Sequence, residues 1–172
     1  MTGQLLVIGL GNPDRGDDAV GVEVAREVAA ERLDVNVLEF DDPSEALDAW
    51  DVEDAVVVTD AIRSGGGHPG EIHVVDAVAQ KLPAGRWATG GTHALGLAAV
   101  VELARALGQL PRSLVVVGVE AKQFGHGAPM SDAVVAAVPA ATNAVLAAID
   151  AAALAAVDDA MLAAIDDGGG EP

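Results

Sequence analysis

Short apolar runs alternate with stretches of helical period along this chain. Gln4 to Leu10 is an apolar run ending in Gly-Leu-Gly-Asn-Pro, which predicts a buried strand entering a turn. Asp17 or Asp18 then caps a predicted helix reaching about Arg32, with Val20, Val24, Val28 and Ala29 on one face. Val35 to Glu39 reads as a second strand, and Pro43 with Glu45 to Trp50 as a short helix. Ala55 to Asp60 is continuously apolar up to its end, the mark of a strand covered on both faces. Ser64 to Pro69 is a Gly-rich loop, Glu71 to Val75 an antiparallel edge strand, and Lys81 to Gly91 irregular. A helix from His93 to Leu107, a strand from Ser113 to Glu120 and a helical region from Ser131 complete the pattern. Strands alternating with helices at this spacing predict an α/β sandwich around a mostly parallel sheet.

The last region is Ala-rich from Val134 to Ile165, with Leu146, Ile149, Ala153, Val157, Met161 and Ile165 at helical spacing. It reads as a packing helix with an extension. The expected organisation is one domain over residues 1–155, then an Ala-rich helical extension and flexible acidic tail over residues 156–172. Gly168 to Pro172 is expected to fray.

Composition narrows the function. Hydrophobic residues are 51% of the chain and aromatics 2%, so the core is built from Ala, Val, Leu and Ile. The absence of cysteine excludes disulfides, zinc ribbons and thiol nucleophiles. The formal charge is −18, with 27 acidic residues against 9 basic ones. Such a chain repels nucleic-acid phosphates and anionic lipid, so neither partner is expected. It has the solvated acidic surface that suits a high-salt cytoplasm, where salt screens self-repulsion. No run is apolar enough to span a bilayer, and Met1 to Leu10 reads as a strand rather than a signal peptide, so the cytoplasm is expected.

In open α/β sheets, sites form beyond the carboxyl ends of the strands. There the sequence places Asn12, Asp14, Asp17 and Asp18 after strand one, Asp60 at the end of strand three, His93 after strand four, and Glu120 at the end of strand five. Carboxylate oxygens with an imidazole nitrogen suit a divalent ion such as zinc or nickel, with positions left for water or substrate. Each residue also has an ordinary structural role open to it. Asp18 suits a helix cap, Asp60 a strand-end bond to a turn, and Thr92-His93 a helix start. His68 and His126 fall in glycine-containing loops and His73 on an edge strand, which makes them weaker candidates. Gly9-Leu10-Gly11 lacks the third glycine of a dinucleotide loop, its place being held by Asp14. No P-loop and no Gly-x-Ser-x-Gly elbow occurs.

The run Gly9-Leu10-Gly11-Asn12-Pro13-Asp14-Arg15-Gly16-Asp17-Asp18-Ala19-Val20-Gly21 resembles the opening motif of the hydrogenase maturation proteases. Thr59-Asp60-Ala61-Ile62 resembles their second motif, and Thr92-His93-Ala94-Leu95-Gly96-Leu97 their third. Val117-Gly118-Val119-Glu120 and the segment Gly127 to Pro139 resemble the last strand and final segment. The resemblance implies a three-layer sandwich with a five-stranded twisted sheet between helices. It implies an endopeptidase, aspartic-type or metal-dependent, that removes a C-terminal extension from the nickel-loaded large-subunit precursor of a nickel-iron hydrogenase. Asp18, Asp60 and His93 would then contact the nickel, which the precursor supplies. The chain departs from the pattern at Asp18, which is Glu in some members, and at Ala19, usually glycine. It also departs at Glu39-Phe40-Asp41-Asp42, where many members carry Asp-Gly-Gly-Thr; Glu39 would replace that loop's acidic residue.

Two alternatives share some of these features. A non-cleaving, metal-sensing or chaperone-like binder of the precursor would keep the same three residues. Peptidyl-tRNA hydrolases share Gly-Leu-Gly-Asn-Pro, but they need a histidine where this chain has Asp17-Asp18.

Overall fold

A computed structural model describes residues 3–52, 54–83 and 96–167. The elements in chain order are β1 (Leu5–Leu10), α1 (Val20–Glu31), β2 (Asn36–Phe40), α2 (Ala46–Ala49), β3 (Ala55–Ile62), β4 (Ile72–Asp76), α3 (Leu97–Leu107), β5 (Ser113–Glu120) and α4 (Asp132–Asp167). The sheet has five strands in the order β2-β1-β3-β5-β4. All pairs are parallel except β4 with β5, which is antiparallel as the sequence predicted.

Period two divides the central strand between two cores. Val56, Val58 and Ile62 of β3 join Leu97, Val101 and Ala104 of α3. Val57 and Ala61 join Val20, Val24 and Val28 of α1 and Val134, Ala141, Val145 and Ile149 of α4. Helices therefore cover both faces, which completes the three-layer sandwich. Every residue of β3 is buried, so its near-continuous apolar run is a requirement of its position.

Local differences from the sequence reading have simple causes. Asp17 and Asp18 lie in a 3-10 turn over Gly16–Ala19, and neither forms a side-chain cap on that turn or on α1. Ala29 is exposed and Ala25 buried, because α1 turns the Val24 side rather than the Ala29 side to the sheet. Helix α3 starts at Leu97 with Gly96 as its cap. The expected first turn at His93 lies outside the described residues, as do the glycine tail and most of the irregular stretch after Lys81. Ahead of α2, Asp42 forms a full capping box with Glu45.

Helix α4 is one continuous element of 36 residues, about 54 Å long at 1.5 Å per residue. It is long and apolar enough to cross a membrane by length and composition. Its first half is instead the wall of a core, with Val134, Ala137, Ala141, Val145 and Ile149 buried. The boundary drawn from sequence at residue 155 falls inside this helix, whose packing changes just after Ile149.

The glycines of the first motif set how closely α1 approaches the sheet. A Cβ on Gly21 would stand 2.2 Å from the Leu10 carbonyl oxygen and 2.5 Å from that of Thr59. Both neighbours are strand backbone and cannot swing aside. Gly21→Ala should therefore lower stability by about 2 kcal/mol, as overpacking does, despite the helix propensity of alanine. Urea unfolding would measure it, and an unchanged midpoint would show that α1 can slide on the sheet.

Candidate active site

The carboxyl ends of β1, β3 and β5 open onto one edge of the sheet. Gly11 follows β1 with φ +128°, a conformation that favours glycine, and any Cβ there would meet the Asp18 carbonyl oxygen at 1.9 Å. The turn folds back so that the Asn12 amide donates to Asp18 Oδ2 at 3.0 Å. Asn12 Oδ1 in turn accepts from the Asp14 amide at 2.9 Å. Asp18 is thus held at the edge with little of its surface exposed.

Asp60 enters from β3 and is 1% exposed. Among the described residues, neither of its carboxylate oxygens has a well-formed hydrogen bond, the Ala61 amide being the nearby donor. Its register partner on β5 is Gly118, which places no side chain beside it. Burial pushes the Asp60 carboxyl well above the usual carboxylate range, and the negative charge of Asp18 adds to the shift; the Ala61 amide opposes it. Asp18 and Asp60 are therefore close enough to sense each other. Two carboxylates in this state favour a bound cation or a shared proton.

Asp17 points the other way. Its Oδ2 accepts from the amides of Lys122 and Gln123, each at 3.0 Å. Its Oδ1 accepts from the Ser131 amide at 2.6 Å, and the Ser131 hydroxyl donates to Oδ2 at 3.1 Å. One carboxylate thereby ties the turn after β1 to the loop after β5 and to the start of α4. Burial raises its pKa, but the four hydrogen bonds together outweigh that effect, and the carboxyl ends below its ordinary value.

His93 lies outside the described residues. His73 sits on β4 with Nε2 3.7 Å from Glu71 Oε1, and His68 and His126 are exposed. Among the described residues, no group of three or more His, Asp or Glu side chains is arranged to hold a metal ion. Glu39, expected to stand in for an acidic loop residue, forms instead an exposed bidentate pair with Arg26. Asp41 is the acid that approaches the edge, with Oδ2 3.4 Å from Asn12 Nδ2.

Sequence reasoning gave Glu120 a place but no role. Its Oε1 accepts from the Ser64 amide at 2.9 Å, and its buried Oε2 has no hydrogen-bond partner among the described residues. It floors a cavity of about 360 Å³ between the loop after β3 and Lys122. Its position at a strand end was the available signal.

The family model for the hydrogenase maturation proteases matches residues 42–148. The chain belongs to this family. As a hydrogenase maturation protease it is a peptidase, and its relatives extend the likeness over most of its length. The hydrogenase 2 maturation protease of Escherichia coli (strain K12) is 28% identical over 150 residues, covering 85% of this chain and 90% of that one. The structure of the hydrogenase maturating endopeptidase HybD from E. coli matches with a TM-score of 0.68 at 25% identity, covering 87% of this chain and 93% of that one. The NiFe hydrogenase maturation protease HybD from Thermococcus kodakarensis matches at 0.61 and 26% identity, over 81% and 95% of the two chains. Within this maturation protease, Asp60 and His93 fall inside the stretch matched by the family model, whereas Asp18 precedes it.

Proposed function

We propose that this protease removes a C-terminal extension from the nickel-loaded large-subunit precursor of a nickel-iron hydrogenase, and that Asp18, Asp60 and His93 read the metal the precursor carries. The observation that carries the reading is the Asp18–Asp60 pair. Both oxygens of a buried aspartate lack a well-formed hydrogen bond among the described residues, beside a second carboxylate at the sheet edge. A buried carboxylate left this way is costly unless something positive completes it. A divalent ion held by the substrate would do so, and oxygen donors suit it.

The roles divide as follows. Asp18, fixed by the Asn12 amide, is the preoriented carboxylate. Asp60, which holds its proton to higher pH than an ordinary aspartate, binds as the carboxylate when the cation arrives, because the cation offsets both burial and the Asp18 charge. His93 supplies a neutral imidazole. Metal engagement positions the chain to be cut and polarises the carbonyl or the attacking water.

The test is the intact mass of the large subunit, expressed with nickel, with and without this protein. Loss of a C-terminal peptide only in its presence is the expected result. An unchanged mass with nickel inserted would overturn the pairing. His93→Ala should abolish processing while circular dichroism and the melting curve stay those of the parent, and full activity in that variant would remove His93 from the site.

A further inference from the structure

Beyond Asp150, α4 passes Arg112 and Ser113 on one side and carries apolar side chains into solvent on the other. Leu154, Val157, Met161, Leu162 and Ile165 are each 60–69% exposed. The family match ends at residue 148, so this stretch is not part of what the family model describes. At 3.6 residues per turn, Leu154, Val157, Met161 and Ile165, at spacings of three, four and four, fall on one stripe of the helix. Ala153, Ala160 and Ala164 run along one flank of that stripe.

We propose that α4 beyond Asp150 is a self-association helix, pairing two copies of this chain at high ionic strength. The surface is complementary to itself: across a twofold axis, the large side chains of one helix meet the alanine notches of the other. Each large side chain offers on the order of 100 Å² at the usual area-to-energy conversion. The four on the stripe give about 800 Å² over two copies, and the flanking alanines bring the contact to about 1,000 Å², the lower bound for a specific contact. The helix is already propagated from a packed first half, so pairing does not have to nucleate it.

Charge sets the condition. Asp158, Asp159 and Asp166 accompany the stripe, and no Lys or Arg follows Lys122 in the sequence. Two such helices repel at about 0.1 M salt, where the screening length is about 10 Å, and far less at about 1 M, where it is about 3 Å. The same acids disfavour an anionic membrane surface. The location leaves activity free. Helix α4 begins beside Asp17 at the site edge and runs to the opposite edge, where Arg32 binds Asp150 and where residues 151–159 pass Arg112 and Ser113.

Sedimentation equilibrium of the full chain in 0.1 M and 2 M KCl tests this directly. The expected result is a mass of two chains in 2 M salt, with a dimer dissociation constant at least tenfold tighter than in 0.1 M. The full-length variant Leu154→Glu, Met161→Glu, Ile165→Glu should stay monomeric in both and keep its melting temperature. A wild-type monomer in both salts would overturn the proposal, as would a dimer that survives in the triple variant. A monomer that floats with phosphatidylcholine vesicles would assign the face to a membrane instead and also overturn it.

Discussion

Asp60→Asn should raise the melting temperature of the free protein while reducing precursor processing by roughly a thousandfold or more, the scale of losing a general acid–base or metal-directed group. The two effects have one cause. In the free protein Asp60 is buried and neither oxygen is bonded to a described donor, with the charge of Asp18 nearby. Asparagine keeps the shape, cannot ionise, and brings an N–H₂ that Asp18 can accept. Relief of that burial is worth about 2 kcal/mol, or roughly 4–8 °C for a chain of this size. The sign with pH follows from the direction of the shift. A folded-state pKa above the unfolded one means the proton on Asp60 stabilises the fold. That contribution is full below the unfolded value of about 4 and is lost as pH rises through the folded pKa. The variant has no such loss, so its advantage should grow from acid to neutral pH. Calorimetry across pH 4 to 8 measures it. A variant less stable than the parent at pH 7 would mean that the carboxylate is already well solvated or bonded in the free protein.

Much of this arrangement was legible in the sequence, for reasons that differ by residue. The continuous apolar run of β3 could only be a doubly covered strand, and a polar residue at the end of such a strand lies at the site edge of an open sheet. That made Asp60 visible, and the acidic residues after β1 visible with it. The division of labour between Asp17 and Asp18 was not legible. Both precede a helix and both suit a cap, yet neither caps one. Asp17 instead bonds to groups 105 to 114 residues away, which no local pattern encodes. Glu39 was misread for a related reason. Its spacing on β2 is compatible with the site, but Arg26 on α1 stands across from it and takes both oxygens. Period also fails to reveal covering. The apolar spacing of α4 continues unchanged past Ile149, while the wall behind it stops.

Asp17→Asn should be the most destabilising single change around the site, at about 4 kcal/mol near neutral pH. The wild-type carboxylate accepts three backbone amides and one hydroxyl from Lys122, Gln123 and Ser131. Hydrogen bonds to a charged acceptor contribute about 1.5–3 kcal/mol each, and a buried amide left unpaired costs about 1–3 kcal/mol. Asparagine retains one acceptor oxygen and turns an N–H₂ towards donors, so at least one partly buried amide loses its partner. The loss would take about a quarter or more of the roughly 5–15 kcal/mol typical of such a domain. Its pH dependence opposes that of Asp60. The folded pKa of Asp17 lies below its ordinary value, so its contribution is present above the unfolded pKa of about 4 and disappears as pH falls through the folded one. The gap between parent and variant should therefore be full at pH 7 and narrow towards pH 3. Urea unfolding at both values measures the gap, with an unchanged m-value marking the same native state. A variant within about 1 kcal/mol of the parent at pH 7 would mean that water replaces the lost acceptors. The turn carrying Asp18 would then owe its position to the glycines at 11 and 21 rather than to Asp17.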